Sequence, residues 1–246
     1  MKHTHIRPEF HTRICGAVLL TLLFCMTLAG RPLAAGEARH DLVIIGGRVV
    51  DPESGLDAVR NLGITGSEIV EISEGRLVGK RTIDASGLIV APGFIDLHSH
   101  GQSLVADRMH AYDGVTTTLE LESGVLPVDE WYQSQARAGR ALNYGTSAAW
   151  TFARIAEFEG LTPRAEVQWF RDAFARKRWV SEAASSEQVQ RITAYLEQGL
   201  RDGALGIGIN GGYAPGGGFR ELLAVHSLAA RHEVPTFTHI SCDNPQ

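Results

Sequence analysis

The spacing of the apolar residues changes at about residue 91, and this change limits the folds available to the chain. Residues 41–90 have the pattern of short strands separated by glycine-rich turns. Beyond them, strand-like segments alternate with amphipathic helical segments. Repeated βα units predict a parallel sheet, and at this length they favour a TIM-type β/α barrel. We therefore predict an α/β fold, with a small β domain at 36–90 and the N-terminal part of a barrel at 91–246.

The expected elements follow from turn and capping signals. In the small domain, hairpin-type turns are expected at Gly46-Gly47 and Gly66-Ser67. In the barrel part, helices are expected to open at Thr162-Pro163 and at Ser185, which forms a capping box with Gln188. About five strand-like segments are expected there, fewer than a closed barrel requires. They are Phe94–His98, Val115–Leu121, Asn143–Phe152, Leu205–Ile209 and Val234–His239.

The first 35 residues have the pattern of a secretory leader. Basic residues precede an apolar run from Ile14 to Leu28, and the small pair Ala34-Ala35 follows. The run is too short for a transmembrane span, although an uncleaved anchor is the alternative. We predict a signal peptide at 1–35, a secreted or periplasmic mature protein, and no stable membrane span after cleavage.

The composition excludes several classes of protein. A hydrophobic fraction of 44% with 21% charged residues argues against a disordered chain. The net charge of -5, without any run of basic residues, argues against a nucleic-acid partner. Cys15 and Cys25 lie in the leader, which leaves only Cys242, so no internal disulfide is expected and a packed core must stabilise the mature protein.

The strongest chemical signal is the segment Pro92–His100, in which His98 and His100 close an apolar strand. Side chains alternate along a strand, so the two imidazoles point the same way. At the C-terminal end of a barrel strand they would project into the mouth of the barrel. Neutral imidazoles are good zinc ligands, and we predict that both bind metal. An H-x-H pair alone is commonly incidental, so the prediction depends on this strand context.

Together with this segment, three further stretches resemble the amidohydrolase superfamily, and within it the D-aminoacylase and N-acyl-D-glutamate deacylase group. They are Asp113–Thr117, Asp202–Ile207 and Thr238-His239, and the resemblance covers residues 41–246. It implies a barrel whose first strand ends in H-x-H, one or two zinc ions, and an N-acyl amino acid as the small-molecule substrate. The oligomeric state stays open.

Glu120 and Glu122 close the second strand-like segment and form the second candidate site. Two neighbouring metal ions commonly share an anionic ligand, which in many amidohydrolases is a carboxylated lysine. Lys80 and Lys177 are not placed at a barrel mouth, so a carboxylate is expected instead, Glu122 first and Glu120 second. Ser123 stands where D-aminoacylases have a cysteine. The alternative is a pair of solvated acids on a loop.

Two more residues acquire roles through the resemblance. It makes His239 a metal ligand, with a hydrogen-bonded core histidine as the alternative. It aligns Tyr213 with a tyrosine that contacts the substrate carboxylate, with a packed loop aromatic as the alternative. In family members a proton-transferring aspartate and one further histidine ligand lie beyond the position of His239. The resemblance therefore implies that no catalytic residue lies before Gln246 and that this chain alone is an inactive fragment.

Three functions remain open at this point. The first is an amide hydrolase that deacylates N-acyl-D-amino acids such as N-acyl-D-glutamate. The second is a cyclic-amide hydrolase of the dihydroorotase or hydantoinase type. The third is a non-catalytic truncated product that binds metal weakly. The loop around Tyr213 and the Glu120–Glu122 segment favour the first.

Overall fold

The structure, a computed structural model, describes residues 39–240. The predicted leader at 1–35 lies outside these residues, and so does Cys242. The chain divides into two compact units, the first ending at Pro92 and the second beginning at Gly93. Within residues 39–240, none of the helices combines the length and the apolar character that a membrane crossing requires.

The first unit is a five-stranded sheet built around its first strand. The strands are β1 (His40–Asp51), β2 (Leu56–Thr65), β3 (Glu68–Ser73), β4 (Gly79–Asp84) and β5 (Ile89–Val90). The first strand pairs antiparallel with β2 and parallel with both β4 and β5, while β3 pairs antiparallel with β2. The hairpin predicted at Gly66-Ser67 is confirmed, because β2 and β3 pair on either side of it.

The hairpin predicted at Gly46-Gly47 is wrong, because both glycines lie inside the continuous strand β1. The pairing of β1 with β2 shifts register between Ile44 and Gly47, which is a β-bulge. Gly46 has φ +71°, a left-handed conformation that glycine adopts without a Cβ clash. The Asn61 side chain accepts a hydrogen bond from the Gly46 backbone N–H at 2.9 Å. The neighbouring strand thus satisfies the group that the bulge frees from the ladder.

The second unit is a curled parallel sheet covered by helices. Its strands are β6 (Phe94–Asp96), β7 (Val115–Val125), β8 (Asn143–Ala149), β9 (Ile207–Ile209) and β10 (Thr236–Thr238). These five strands lie in chain order, from β6 at one edge to β10 at the other, and every neighbouring pair is parallel. The predicted α/β class, with part of a TIM-type barrel and a separate small sheet, is confirmed.

Helices connect these strands as the βα pattern requires. They are α1 (Leu104–Tyr112), α2 (Val128–Ala138), α3 (Trp150–Glu159), α4 (Val167–Phe174), α5 (Arg178–Ser181), α6 (Ser186–Arg201) and α7 (Phe219–Arg231). The predicted capping box is confirmed at the start of α6, where Ser185 and Gln188 bond reciprocally. Ile192 and Leu196 on this helix are fully buried in the core. Each contributes roughly 1.5–3 kcal/mol through burial.

The predicted boundaries of the third strand and of the helix at Thr162-Pro163 are wrong. The third strand ends at Ala149, and Trp150 begins helix α3 instead of continuing the strand. Trp150 is fully buried and its indole N–H donates to Glu221 at 2.8 Å, a contact that the helical direction allows. Helix α4 begins at Val167 and not at Thr162-Pro163, and the intervening loop ends at the cavity described below.

Candidate metal centre

His98 and His100 lie just beyond β6, with their rings edge to face. Their Nε2 atoms are 3.1 Å apart. The predicted strand ends early, at Asp96, whose carboxylate accepts a hydrogen bond from the His98 backbone N–H at 3.0 Å. Between the histidines, Ser99 is buried, and its N–H donates to the Leu119 carbonyl at 3.0 Å. The imidazoles therefore extend from an anchored backbone, although their side chains are 58% and 56% exposed.

Glu122 supplies the carboxylate that faces the Nε2 atoms of both rings. Its Oε2 atom is 3.6 Å from His98 Nε2 and 3.7 Å from His100 Nε2. Its other oxygen, Oε1, is 2.8 Å from Nδ1 of His239, which follows the last strand of the sheet. The two oxygens of one buried carboxylate thus face two different groups of histidine nitrogens.

Hydrogen bonds from neutral groups hold the Glu122 carboxylate in place. Ser123 Oγ donates to Oε2 at 2.9 Å, and Asn210 Nδ2 donates to Oε1 at 2.5 Å. Asn210 in turn accepts a hydrogen bond from Thr151 Oγ1 at 3.2 Å. A buried carboxylate without such partners would cost several kcal/mol. The sequence prediction missed Asn210, although it directly follows the apolar strand β9, the same position that identified the other site residues.

Glu120 lies on the same face of β7 but contacts the opposite edge of His100. Its carboxylate oxygens are 2.9 and 3.1 Å from His100 Nδ1. Burial raises the pKa of Glu120, and the hydrogen bond with His100 opposes that rise. A proton on Nδ1 that is donated to this carboxylate leaves the Nε2 lone pair directed towards Glu122. Glu120 therefore orients His100 and lies behind it, as the outer contacts of metal ligands do.

The absence of a side chain at Gly208 allows β9 to lie close to the end of β7. A Cβ at this position would lie 2.5 Å from the Leu121 carbonyl oxygen and 2.7 Å from that of Glu122. No side chain fits at such distances, so β9 approaches the end of β7 closely only because a glycine stands there. The close approach brings Asn210, two residues later, within reach of the Glu122 carboxylate.

The separations of the candidate ligand atoms suit a small divalent cation. His98, His100 and Glu122 each offer one ligand atom to a common point. The separations of these atoms are 3.1, 3.6 and 3.7 Å. Ligands of one tetrahedral zinc ion, at about 2.0–2.1 Å from it, lie roughly 3.3 Å apart. Two imidazoles and one carboxylate are also the ligand set of catalytic zinc sites that keep an open position. The residues present therefore fit a metal ion.

A cavity of about 590 Å³ opens over this cluster. Its other wall is mainly aromatic, with Phe152 and Phe170 stacked at 5.3 Å between ring centroids. Tyr213 completes that wall, its ring centroid 5.1 Å from that of His239. It lies in a short 3-10 helix, Gly211–Tyr213, which is bonded to the His239 carbonyl through Gly212 N–H. The cavity thus suits a ligand with one polar end and one apolar end.

Part of the chain matches a known protein family. Residues 81–166 match the amidohydrolase family. This stretch contains His98, His100, Glu120 and Glu122. A dihydroorotase from Streptococcus thermophilus is 48% identical over 60 residues, which are 24% of this chain and 14% of that protein.

Solved structures share the fold at low sequence identity. An N-acyl-D-glutamate deacylase from Bordetella bronchiseptica, solved with zinc and a phosphonate inhibitor, superposes with a TM-score of 0.66 and 23% identity. A D-aminoacylase superposes with a TM-score of 0.62 and 21% identity. Each match covers 82% of this chain and 45% of the other, so the chain spans less than half the length of these proteins. The chain therefore matches the amidohydrolase family over residues 81–166 and shares its fold with the D-aminoacylases.

Proposed function

We propose that this protein is a zinc-dependent hydrolase of non-peptide amide bonds that removes the acyl group from N-acyl-D-amino acids. One observation carries the proposal. The Glu122 carboxylate presents one oxygen to His98 and His100 and the other to His239, on the floor of a cavity with an aromatic wall. This is the arrangement that a carboxylate shared by two metal ions requires.

In this proposal His98, His100 and Glu122 would hold one ion, and Glu122 and His239 would contribute ligands to a second. Zinc, when bound, supplies the Lewis acidity that polarises an amide carbonyl. The protein's own contribution is to fix the ligands in advance. Glu120 holds the tautomer of His100, and Asn210 holds the Glu122 carboxylate. Because these hydrogen bonds form within the protein, little reorganisation is needed when substrate binds.

The walls of the cavity favour an N-acyl amino acid as substrate. The aromatic wall, with Phe152 and Phe170, would accept an apolar acyl group or side chain. Tyr213 is half exposed beside the cluster, and its hydroxyl would donate a hydrogen bond to the substrate carboxylate. The amide carbonyl between these two ends would then lie over the histidines.

A cyclic-amide hydrolase is the second candidate, and the identity with dihydroorotases favours it. That identity covers 60 residues of this chain. A small polar ring would leave much of the aromatic wall without a partner, which costs affinity. The wall is therefore the observation that favours the first candidate over the second.

Activity assays on the protein produced from its complete gene, and loaded with zinc, distinguish the two candidates. We expect it to release free amino acid from N-acyl-D-amino acids, to lose this activity to a chelator, and to regain it with zinc. N-acyl-L-amino acids are the matched substrates and are expected to react poorly. Hydrolysis of dihydroorotate or hydantoin without any deacylation would refute the first candidate and support the second.

We also propose that the first 35 residues are removed on export. The basic start, the apolar run and the small residues at Ala34-Ala35 support this. Protein recovered from the periplasm of an expressing bacterium is expected to begin near Gly36. An N-terminal sequence that begins at Met1 in that fraction would contradict the proposal and leave the anchor as the explanation.

A further inference from the structure

Arg140, an arginine with a buried side chain, uses all of its side-chain N–H groups in hydrogen bonds. The side chains of Arg140 and Asp107 are 1% and 0% exposed. Nε and Nη2 of the guanidinium donate to the Asp107 carboxylate at 2.7 and 2.5 Å. Its other N–H groups donate to Thr118 at 3.0 Å, to Gln102 at 2.7 Å and to Gln135 at 3.0 Å. A guanidinium that donates through all five N–H groups cannot rotate without breaking several hydrogen bonds, so its position and orientation are fixed.

Stability alone is a weak reason to retain this pair. The hydrogen bonds from Arg140 lower the pKa of Asp107, which favours its charged form in the interior. Well-packed apolar residues often replace a buried ion pair without loss of stability. The contacts that extend from the pair towards the cluster indicate a more specific role.

Gln102 connects Arg140 to the segment that carries the two histidines. Its Oε1 accepts the bond from Arg140, and its Nε2 donates to the Ser99 carbonyl at 2.7 Å. The Ser99 N–H is already bonded to Leu119 at 3.0 Å. The residue between His98 and His100 is thus held on both of its peptide groups, once by β7 and once by Gln102.

We propose that Gln102, fixed by the Arg140–Asp107 pair, is a positioning residue that sets the separation of the His98 and His100 Nε2 atoms. This inference rests on the proposed function, because it takes those atoms to be metal ligands. Ligating groups must be held to within about 0.5 Å of the productive geometry. Loss of such outer contacts typically weakens metal binding by about 10- to 100-fold.

Gln102→Met and Gln135→Met form a matched pair. Each removes one acceptor from Nη1 of Arg140, but only Gln102 also contacts Ser99. Gln102 is half-buried at the edge of the cavity, and methionine is similar to it in size. The substitution therefore removes its hydrogen bonds without creating a void in the core. We expect the zinc dissociation constant of the chain to rise about 10- to 100-fold in Gln102→Met. We expect no change beyond experimental error in Gln135→Met.

The measurement is competition with a chromophoric zinc chelator, on variants with the wild-type circular dichroism spectrum. Cobalt substitution adds a second readout, since its visible spectrum reports the ligand geometry and should change only in Gln102→Met. Equal effects of the two variants, or wild-type affinity in both, would overturn the positioning role while leaving the metal site in place. Failure of the wild-type chain to bind zinc would overturn the proposed function as well.

Discussion

Glu122→Gln, introduced into the protein produced from its complete gene, is expected to lose bound zinc and hydrolytic activity together. Glu120→Gln in the same protein is expected to retain zinc with an affinity about 10- to 100-fold lower. The Glu122 oxygens face His98 and His100 on one side and His239 on the other. A glutamine is neutral and a poor zinc ligand, and it leaves the positive charge of the metal less compensated. At position 120 an amide oxygen still accepts the proton of His100 Nδ1, so the outer contact survives in part.

Elemental analysis of the purified variants, with activity measured on the same samples, decides this prediction. Glu166→Gln is a suitable control, because it neutralises another carboxylate that lines the same cavity. It is expected to keep the wild-type zinc content. Full zinc content and intact activity in Glu122→Gln would show that the bridging carboxylate has been assigned to the wrong residue.

Arg154→Met is expected to destabilise the second unit by about 3–5 kcal/mol. Arg154 is fully buried and ion-paired with Glu221, which also accepts the Trp150 indole N–H. The guanidinium donates as well to the carbonyls of Trp179 at 2.9 Å and Glu182 at 2.7 Å, so it joins α3, α5 and α7. Its removal leaves the Glu221 carboxylate buried without its counter-charge.

Urea denaturation measures the free energy of unfolding of each variant, and Arg191→Met is the matched control. Arg191 also pairs with a glutamate, Glu157, but its side chain is 55% exposed, so a change of about 0–1 kcal/mol is expected. The double variant Arg154→Met/Glu221→Leu should recover much of the loss, because no unpaired charge remains. Equal losses for the two arginine variants would contradict the account of a buried, interdependent pair.

The sequence predicted those parts of the site that depend on strand geometry. His98, His100, Glu120 and Glu122 were recognisable because alternation along a strand, with a polar residue at its end, is a local pattern. The structure brings His98, His100 and Glu122 around one point. His239 contacts the other oxygen of Glu122, and Glu120 contacts the far edge of His100. That His98, His100, Glu122 and His239 bind metal is a proposal, which the experiments above test.

Other parts depend on contacts that no local pattern reveals. Gln102 and Arg140 are 38 positions apart, and their hydrogen bond forms because the fold brings the segment after α2 against the segment that follows the histidines. Trp150 was assigned to a strand because a short apolar run does not distinguish a buried strand from a buried helix. At Gly46, turn residues produced a bulge, since the neighbouring Asn61 was available to satisfy the backbone. Tertiary context decided each case.

Anomalous diffraction at the zinc absorption edge, from crystals of the zinc-loaded protein, tests the central claim most directly. The account predicts a peak about 2.0–2.2 Å from His98 Nε2, His100 Nε2 and a Glu122 oxygen. It predicts a second peak, at partial or full occupancy, between the other Glu122 oxygen and His239. Zinc bound elsewhere in the crystal, with no peak among these four side chains, would contradict the assignment of this cluster as the metal centre.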